Sequence, residues 1–168
     1  MDTPAPVASS NAKTILVVDD DPTTRLICVR TLRAEGFTVL EAEGSSEAFK
    51  ILATHREPID LLLTDLMLPP PGFQLASSKN PYPRVHGHEV IQRALAMKKT
   101  FRVILMSILS DHERKAYQPG IAHLPFLQKP VSVETMMKLV HTVLAAAPIL
   151  NDDFAAKSIV KHDDRWYD

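Results

Sequence analysis

The chain has 168 residues, 45% of them hydrophobic and 23% charged, with a formal net charge of −1. These values suit one globular domain with tails, and they exclude a basic field that would recruit nucleic acid or a polybasic segment for a membrane surface. The single cysteine, Cys28, excludes an internal disulfide framework and suits a reducing cytoplasm, and no run of about 18 apolar residues offers a membrane span.

Residues 1–13 are small and polar, lack the apolar centre of a signal peptide, and read as a disordered leader. Ile15 to Val18 is a short β-branched run that predicts a buried strand. Asp21 followed by Pro22 reads as an N-cap and first helical residue, for a helix that ends near Glu35 with Gly36 as its stop. Phe37 to Leu40 predicts a second strand, and Ser45 or Ser46 caps a helix carrying Ala48, Phe49, Leu52 and Ala53. Ile59 to Leu63 is apolar enough for a strand covered on both faces. Residues 69–86 then break the rhythm with five prolines (Pro69, Pro70, Pro71, Pro81 and Pro83), and read as an inserted loop.

Beyond it the pattern predicts a helix over Gly87 to Lys98, a strand over Arg102 to Met106, and a short helix from Asp111. A fifth strand over His123 to Leu127 and a helix over Val133 to Ala146 complete the series. Strands alternating with helices imply right-handed crossovers and a doubly wound parallel α/β sheet. In the last helix Val133, Met136, Met137, Val140 and Leu144 form the expected core stripe, and Leu139 and Val143 lie off it. That extra apolar face, with residues 148–168 as a C-terminal extension, suggests a docked or dimerising arm.

In open parallel sheets, ligands sit beyond the carboxyl ends of the strands. Those ends carry Asp19, Asp20 and Asp21 after the first strand, Asp65 after the third, Ser107 after the fourth and Lys129 after the fifth. Clustered aspartates repel unless a cation lies among them, and hard oxygen donors favour Mg²⁺. A hydroxyl and an ammonium nearby suit a phosphoryl group, and an aspartate can itself be the nucleophile. The chemistry these groups allow is in-line phosphoryl transfer to a carboxylate.

Four segments, ILVVDDDP (15–22), LLLTDLMLP (61–69), VILMS (103–107) and FLQKP (126–130), resemble the receiver domains of two-component response regulators, the single-domain chemotaxis type in particular. The resemblance covers about residues 14–147 and implies a flavodoxin-like (βα)5 fold with strand order 2-1-3-4-5. It implies Asp65 as phosphoacceptor, Asp19, Asp20, Asp65 and the Met67 backbone carbonyl as holders of Mg²⁺, Lys129 as a salt-bridging lysine and Ser107 as the hydroxyl that follows the phosphoryl group. Phe126 takes the aromatic switch position, and the Lys129–Pro130 peptide is expected to be cis.

Three features depart from the pattern. Ile108 and Leu109 stand where a small residue normally gives access to the site, the loop after the third strand is far longer, and Phe126 has no hydroxyl. The implied function is a cytoplasmic, phosphorylation-switched module whose only catalysis is its own phosphorylation and dephosphorylation. Its partners would be a histidine kinase or phosphotransfer protein and a downstream protein target, with a homodimer through the last helix and tail also open. Two alternatives stand beside it. One is a scaffold that works without phosphorylation. The other is a phosphatase of the haloacid dehalogenase type, in which Asp19 is the nucleophile and Asp21 the acid/base.

Overall fold

The structure is a computed structural model that describes residues 12–68, 87–98, 100–117 and 119–150. The leader up to residue 11, the inserted loop 69–86 and the tail from residue 151 lie outside the described residues.

The first apolar run forms β1 (Thr14–Val18), buried along its whole length. Asp21 caps the helix that follows, α1 (Pro22–Ala34), its carboxylate accepting from the backbone N–H groups of Thr23 and Thr24 at 3.2 and 3.0 Å. Gly36 ends the turn after α1 at φ 90°, a left-handed conformation that costs glycine little. β2 (Thr38–Ala42) and α2 (Ser45–Thr54) follow. The predicted serine cap of α2 is replaced by Gly44, which offers no side-chain bond; both serines fall inside the helix.

β3 (Leu61–Asp65) leads to the insertion, after which come α3 (Gly87–Lys98) and β4 (Thr100–Ser107). Next are α4 (Asp111–Tyr117), a 3-10 turn (Pro119–Ile121), β5 (Phe126–Gln128), α5 (Val133–Ala145) and β6 (Ile149–Leu150). α4 opens on a reciprocal cap. Glu113 N donates to Ser110 Oγ at 3.3 Å while Ser110 N donates to Glu113 Oε2 at 2.8 Å, the Ser-x-x-Glu pattern legible in residues 110–113.

β1 to β5 pair in parallel in the order β2-β1-β3-β4-β5, the doubly wound, flavodoxin-like topology. Alternate strand residues feed opposite faces, as the pleat requires. Leu16, Val18, Leu62 and Leu105 pack with Phe49, Val90, Ile91 and Leu95 under α2 and α3. Ile15, Val17, Leu63 and Ile104 pack with Cys28, Leu32, Met136 and Val140 under α1 and α5. Cys28 is fully buried, and burial pushes its thiol up to about 11, consistent with a core-facing residue.

Two further expectations need correction. The fifth strand starts at Phe126, not His123, because the 3-10 turn and the segment after it curl beneath α4 before the chain extends. In α5 the core residues are Met136, Val140 and Val143, whereas Val133 is 47% exposed at the helix start. Met137, Leu139 and Leu144 are partly buried against the same core, so much of the supposed spare face is already used within the chain. The extension begins by pairing antiparallel with β4, Phe101 opposite Ile149, along a stretch that β5 is too short to cover.

Candidate active site at the carboxyl edge of the sheet

The parallel register brings the strand ends to one edge, with Asp65 opposite Met106 and Ser107 opposite Gln128. Asp19 is fully buried and Asp65 is 5% exposed, whereas Asp20 is exposed. Each of the three offers a carboxylate oxygen, and these oxygens lie within 4.8 Å of one another.

Asp65 is held from two sides. Its Oδ1 accepts from Met67 N at 2.7 Å, and its Oδ2 accepts from Lys129 Nζ at 2.5 Å. Lys129 Nζ also lies 2.7 Å from Asp19 Oδ2, so one ammonium spans two buried carboxylates. Asp19 Oδ1 accepts from Asp21 N at 2.9 Å, and the Asp19 carbonyl accepts from Arg25 at 2.7 Å. Burial raises Asp19 above the usual carboxylate value, against the opposing pull of Lys129. For Lys129, burial works against the ammonium, but the bonds to Asp19 and Asp65 prevail and its value is raised.

These residues fit a hard divalent cation. Three carboxylates converge here, and the one ammonium bonded among them, Lys129, meets only Asp19 and Asp65. Ser107 is fully buried at the end of β4. Its carbonyl accepts from Lys129 N at 2.7 Å and its Oγ from Leu109 N at 3.2 Å, which ties the β5 edge to the β4 end. The Lys129–Pro130 peptide is cis, as the resemblance implied.

Of the two residues expected to limit access, Leu109 is part-buried against the core and Ile108 is 72% exposed. Phe126 is part-buried at the start of β5. Asp21 serves as the α1 cap, accepting from Thr24 Oγ1 as well, and these bonds hold its pKa low. The phosphatase reading needed that carboxyl as an acid/base and an irregular turn after it, where α1 runs as a helix from Pro22.

Sequence reasoning gave no site role to three residues. Arg25 anchors the loop that carries Asp19 and Asp20, and its place in the first turns of α1 was the only available hint. Gly87 packs on the backbone behind the phosphoacceptor candidate: a Cβ there would stand 2.2 Å from the Asp65 carbonyl oxygen and 2.9 Å from Leu66 Cα, so only glycine fits. Arg114, which composition would place in solvent, is 2% exposed.

A parallel sheet of this order with an acidic, lysine-bridged carboxyl edge defines a class, the receiver-type doubly wound α/β domains. The family model described as the response regulator receiver domain matches residues 15–78. A cyclic di-GMP phosphodiesterase of Thermotoga maritima is 29% identical over 133 residues, 77% of this chain and 31% of that protein. The response regulator GtcR of Aneurinibacillus migulanus is 35% identical over 119 residues, 71% of this chain and 42% of that protein. Among solved structures, the receiver domain of the hybrid histidine kinase CckA aligns with a TM-score of 0.58 at 29% identity, over 78% of this chain and 98% of that one. These likenesses support a response regulator receiver domain in this chain. The chain spans less than half the length of either curated relative, and their phosphodiesterase and regulator activities are theirs.

Proposed function

We propose that Asp65 accepts a phosphoryl group from a partner histidine kinase or phosphotransfer protein, and that the modified domain changes its binding to a downstream protein. The observation that carries this reading is the placement of Asp65. It is nearly buried at the end of β3, oriented by Met67 N and bonded by Lys129, with Asp19 and Asp20 beside it. A carboxylate fixed at both oxygens is pre-positioned for in-line attack, which removes orientational freedom before the reaction.

In that step an Asp65 oxygen forms a bond to phosphorus. The donor's bond to phosphorus breaks, and the leaving group departs with its electron pair and is protonated. Lys129 stays within reach to bond a phosphoryl oxygen, and Ser107 supplies a hydroxyl from the next strand end. Asp19, Asp20 and the Met67 carbonyl would hold Mg²⁺, which when bound neutralises charge developing on the transferred group. The cytoplasmic setting, the choice of partner and a role for Ile108 at the entrance belong to this same reading.

Incubation with acetyl phosphate and Mg²⁺ should raise the intact mass by one phosphoryl group, and Asp65→Asn should abolish the gain. Mass gain that persists in Asp65→Asn but disappears in Asp19→Asn would overturn the assignment.

A further inference from the structure

Among the described residues, Arg114 heads the largest side chains that are withdrawn from solvent, at 2% exposure. Its guanidinium joins three segments. One amino group donates to the Ile121 carbonyl at 3.0 Å, and the other donates to the Ala122 carbonyl at 3.0 Å and to Asp111 at 2.6 Å. Its Cζ lies 4.8 Å from the centre of the Phe126 ring, while its Nε has no acceptor. Burying a guanidinium is costly, and an aliphatic side chain could fill the same volume without that cost. What an aliphatic residue cannot do is grip two carbonyls and a ring face at once.

Phe126 has no hydroxyl, so only packing can set where its ring sits. It opens the three-residue strand β5, which leads directly to Lys129, the residue bonded to Asp65. Leu105, its partner in β4, lies two residues before Ser107. The ring is therefore one short, hydrogen-bonded strand away from the reactive edge.

We propose that Arg114 is the positioning residue for Phe126: the guanidinium holds the ring in one seat, and a phosphoryl group on Asp65 changes the occupancy of that seat through Lys129 and β5. This rests on the phosphoacceptor reading of Asp65. It assigns the task usually given to a hydroxyl on the ring to a cation beneath its face. It also makes α4 and the turn after it the part of the surface that responds.

The test uses the full chain labelled with ¹³C-phenylalanine, Phe126 being assigned by its loss in Phe126→Leu. Spectra are taken free and with Mg²⁺ plus beryllofluoride, and acetyl phosphate labelling of Asp65 is followed by mass in parallel. In the unsubstituted chain the Phe126 ring signal should be distinct and should shift with beryllofluoride. In Arg114→Met the free-state signal should move towards that of an unconstrained ring, with the bias between seats reduced roughly tenfold, the scale of a desolvated cation–π contact. Mass gain on Asp65 should persist.

Arg114→Lys keeps a charge over the ring but loses the fork to the carbonyls, and should recover most of the ring shift. A folded Arg114→Met with an unchanged ring signal and response overturns the proposal. So does an Arg114→Lys that recovers nothing, since the arginine would then act only by supporting the turn. If Arg114→Met does not fold, Arg114→Lys decides alone: a ring signal near that of the unsubstituted chain supports the proposal, and its loss overturns it. A chain that gains no mass defeats the phosphoacceptor reading instead, and the free-state ring comparison still judges the clamp.

Discussion

Lys129 and Arg114 are both cations withdrawn from water, with side chains 11% and 2% exposed, and they are satisfied in opposite ways. Lys129 offers a compact charge to two carboxylates, so its partners are ionic and a second cation can compete for them. Arg114 spends its fork on two carbonyls and a ring, and its one carboxylate partner, Asp111, is 54% exposed. An ammonium among carboxylates suits a site whose charge changes during its work. A guanidinium among carbonyls suits a joint whose geometry has to hold.

Removing each cation in turn puts that contrast to the test. Lys129→Met leaves Asp19 and Asp65 facing each other, and should cost roughly 3 kcal/mol of stability in chelator, read by urea unfolding. Saturating Mg²⁺ should restore part of the loss; an equal loss with and without Mg²⁺ would break the contrast. The same variant should slow mass gain on Asp65 by about a hundredfold, as expected when a charge-stabilising donor is lost. Arg114→Ala removes two carbonyl bonds and a packed stem, and should cost roughly 2 kcal/mol whether or not Mg²⁺ is present. A Mg²⁺-dependent loss there would merge the two sites into one.

A pH series separates them further. Asp19 has a raised value, so the fold holds its proton more tightly than the unfolded chain does. Stability tied to that proton is whole below the ordinary aspartate value and is lost as pH rises through the higher folded value. Mg²⁺ must displace the same proton, so its affinity by calorimetry should climb across that acid window, and a flat profile would contradict the assignment of Asp19 as a ligand. The contribution of Lys129, also raised, is whole below the ordinary lysine value and fades as pH climbs through the higher folded one. Lys129→Met should therefore lose the alkaline step in stability, while Arg114→Ala keeps it, because arginine does not titrate there.

The smallest effect is expected at Asp111. Lys115 and Arg114 hold its carboxyl below the usual range, but it is open to solvent. Asp111→Asn should produce a slight destabilisation that disappears at high salt, and a salt-insensitive loss would make this carboxylate a true part of the Arg114 joint.

The same contrast tracks what could be read from the sequence. Lys129, Asp19, Asp20 and Asp65 were legible because each follows a short apolar run, and parallel strands deliver their ends to one edge. Asp21 was legible because capping depends on residues two and three positions away. Arg114 was not, because its burial depends on carbonyls seven and eight residues downstream and on a ring beyond them. The start of β5 was misplaced for a related reason: the Ile121 carbonyl that accepts from Arg114 also accepts from Leu124 N, a turn that delays the strand to Phe126. In α5 the stripe slipped because Val133 sits at the helix entrance, where the first turn has not yet reached the core, and Val143 completes the buried row. Pairing of Ile149 and Leu150 with β4 followed from the shortness of β5, which no local pattern announces.

Gly87 closes on the backbone of Asp65 with its own N–H donating to the Leu66 carbonyl at 3.3 Å, and Leu68, where the chain departs, is 2% exposed. The described chain on either side of residues 69–86 thus meets at the Gly87 N–H and the Leu66 carbonyl. Closing a loop costs only slowly more as it lengthens. The number of residues between those anchors is therefore nearly free to vary while the carboxylate stays in place. For protein engineering this suggests a graft point: a segment inserted between Leu68 and Gly87 should be tethered near Asp65, read by unchanged stability of the grafted chain in urea.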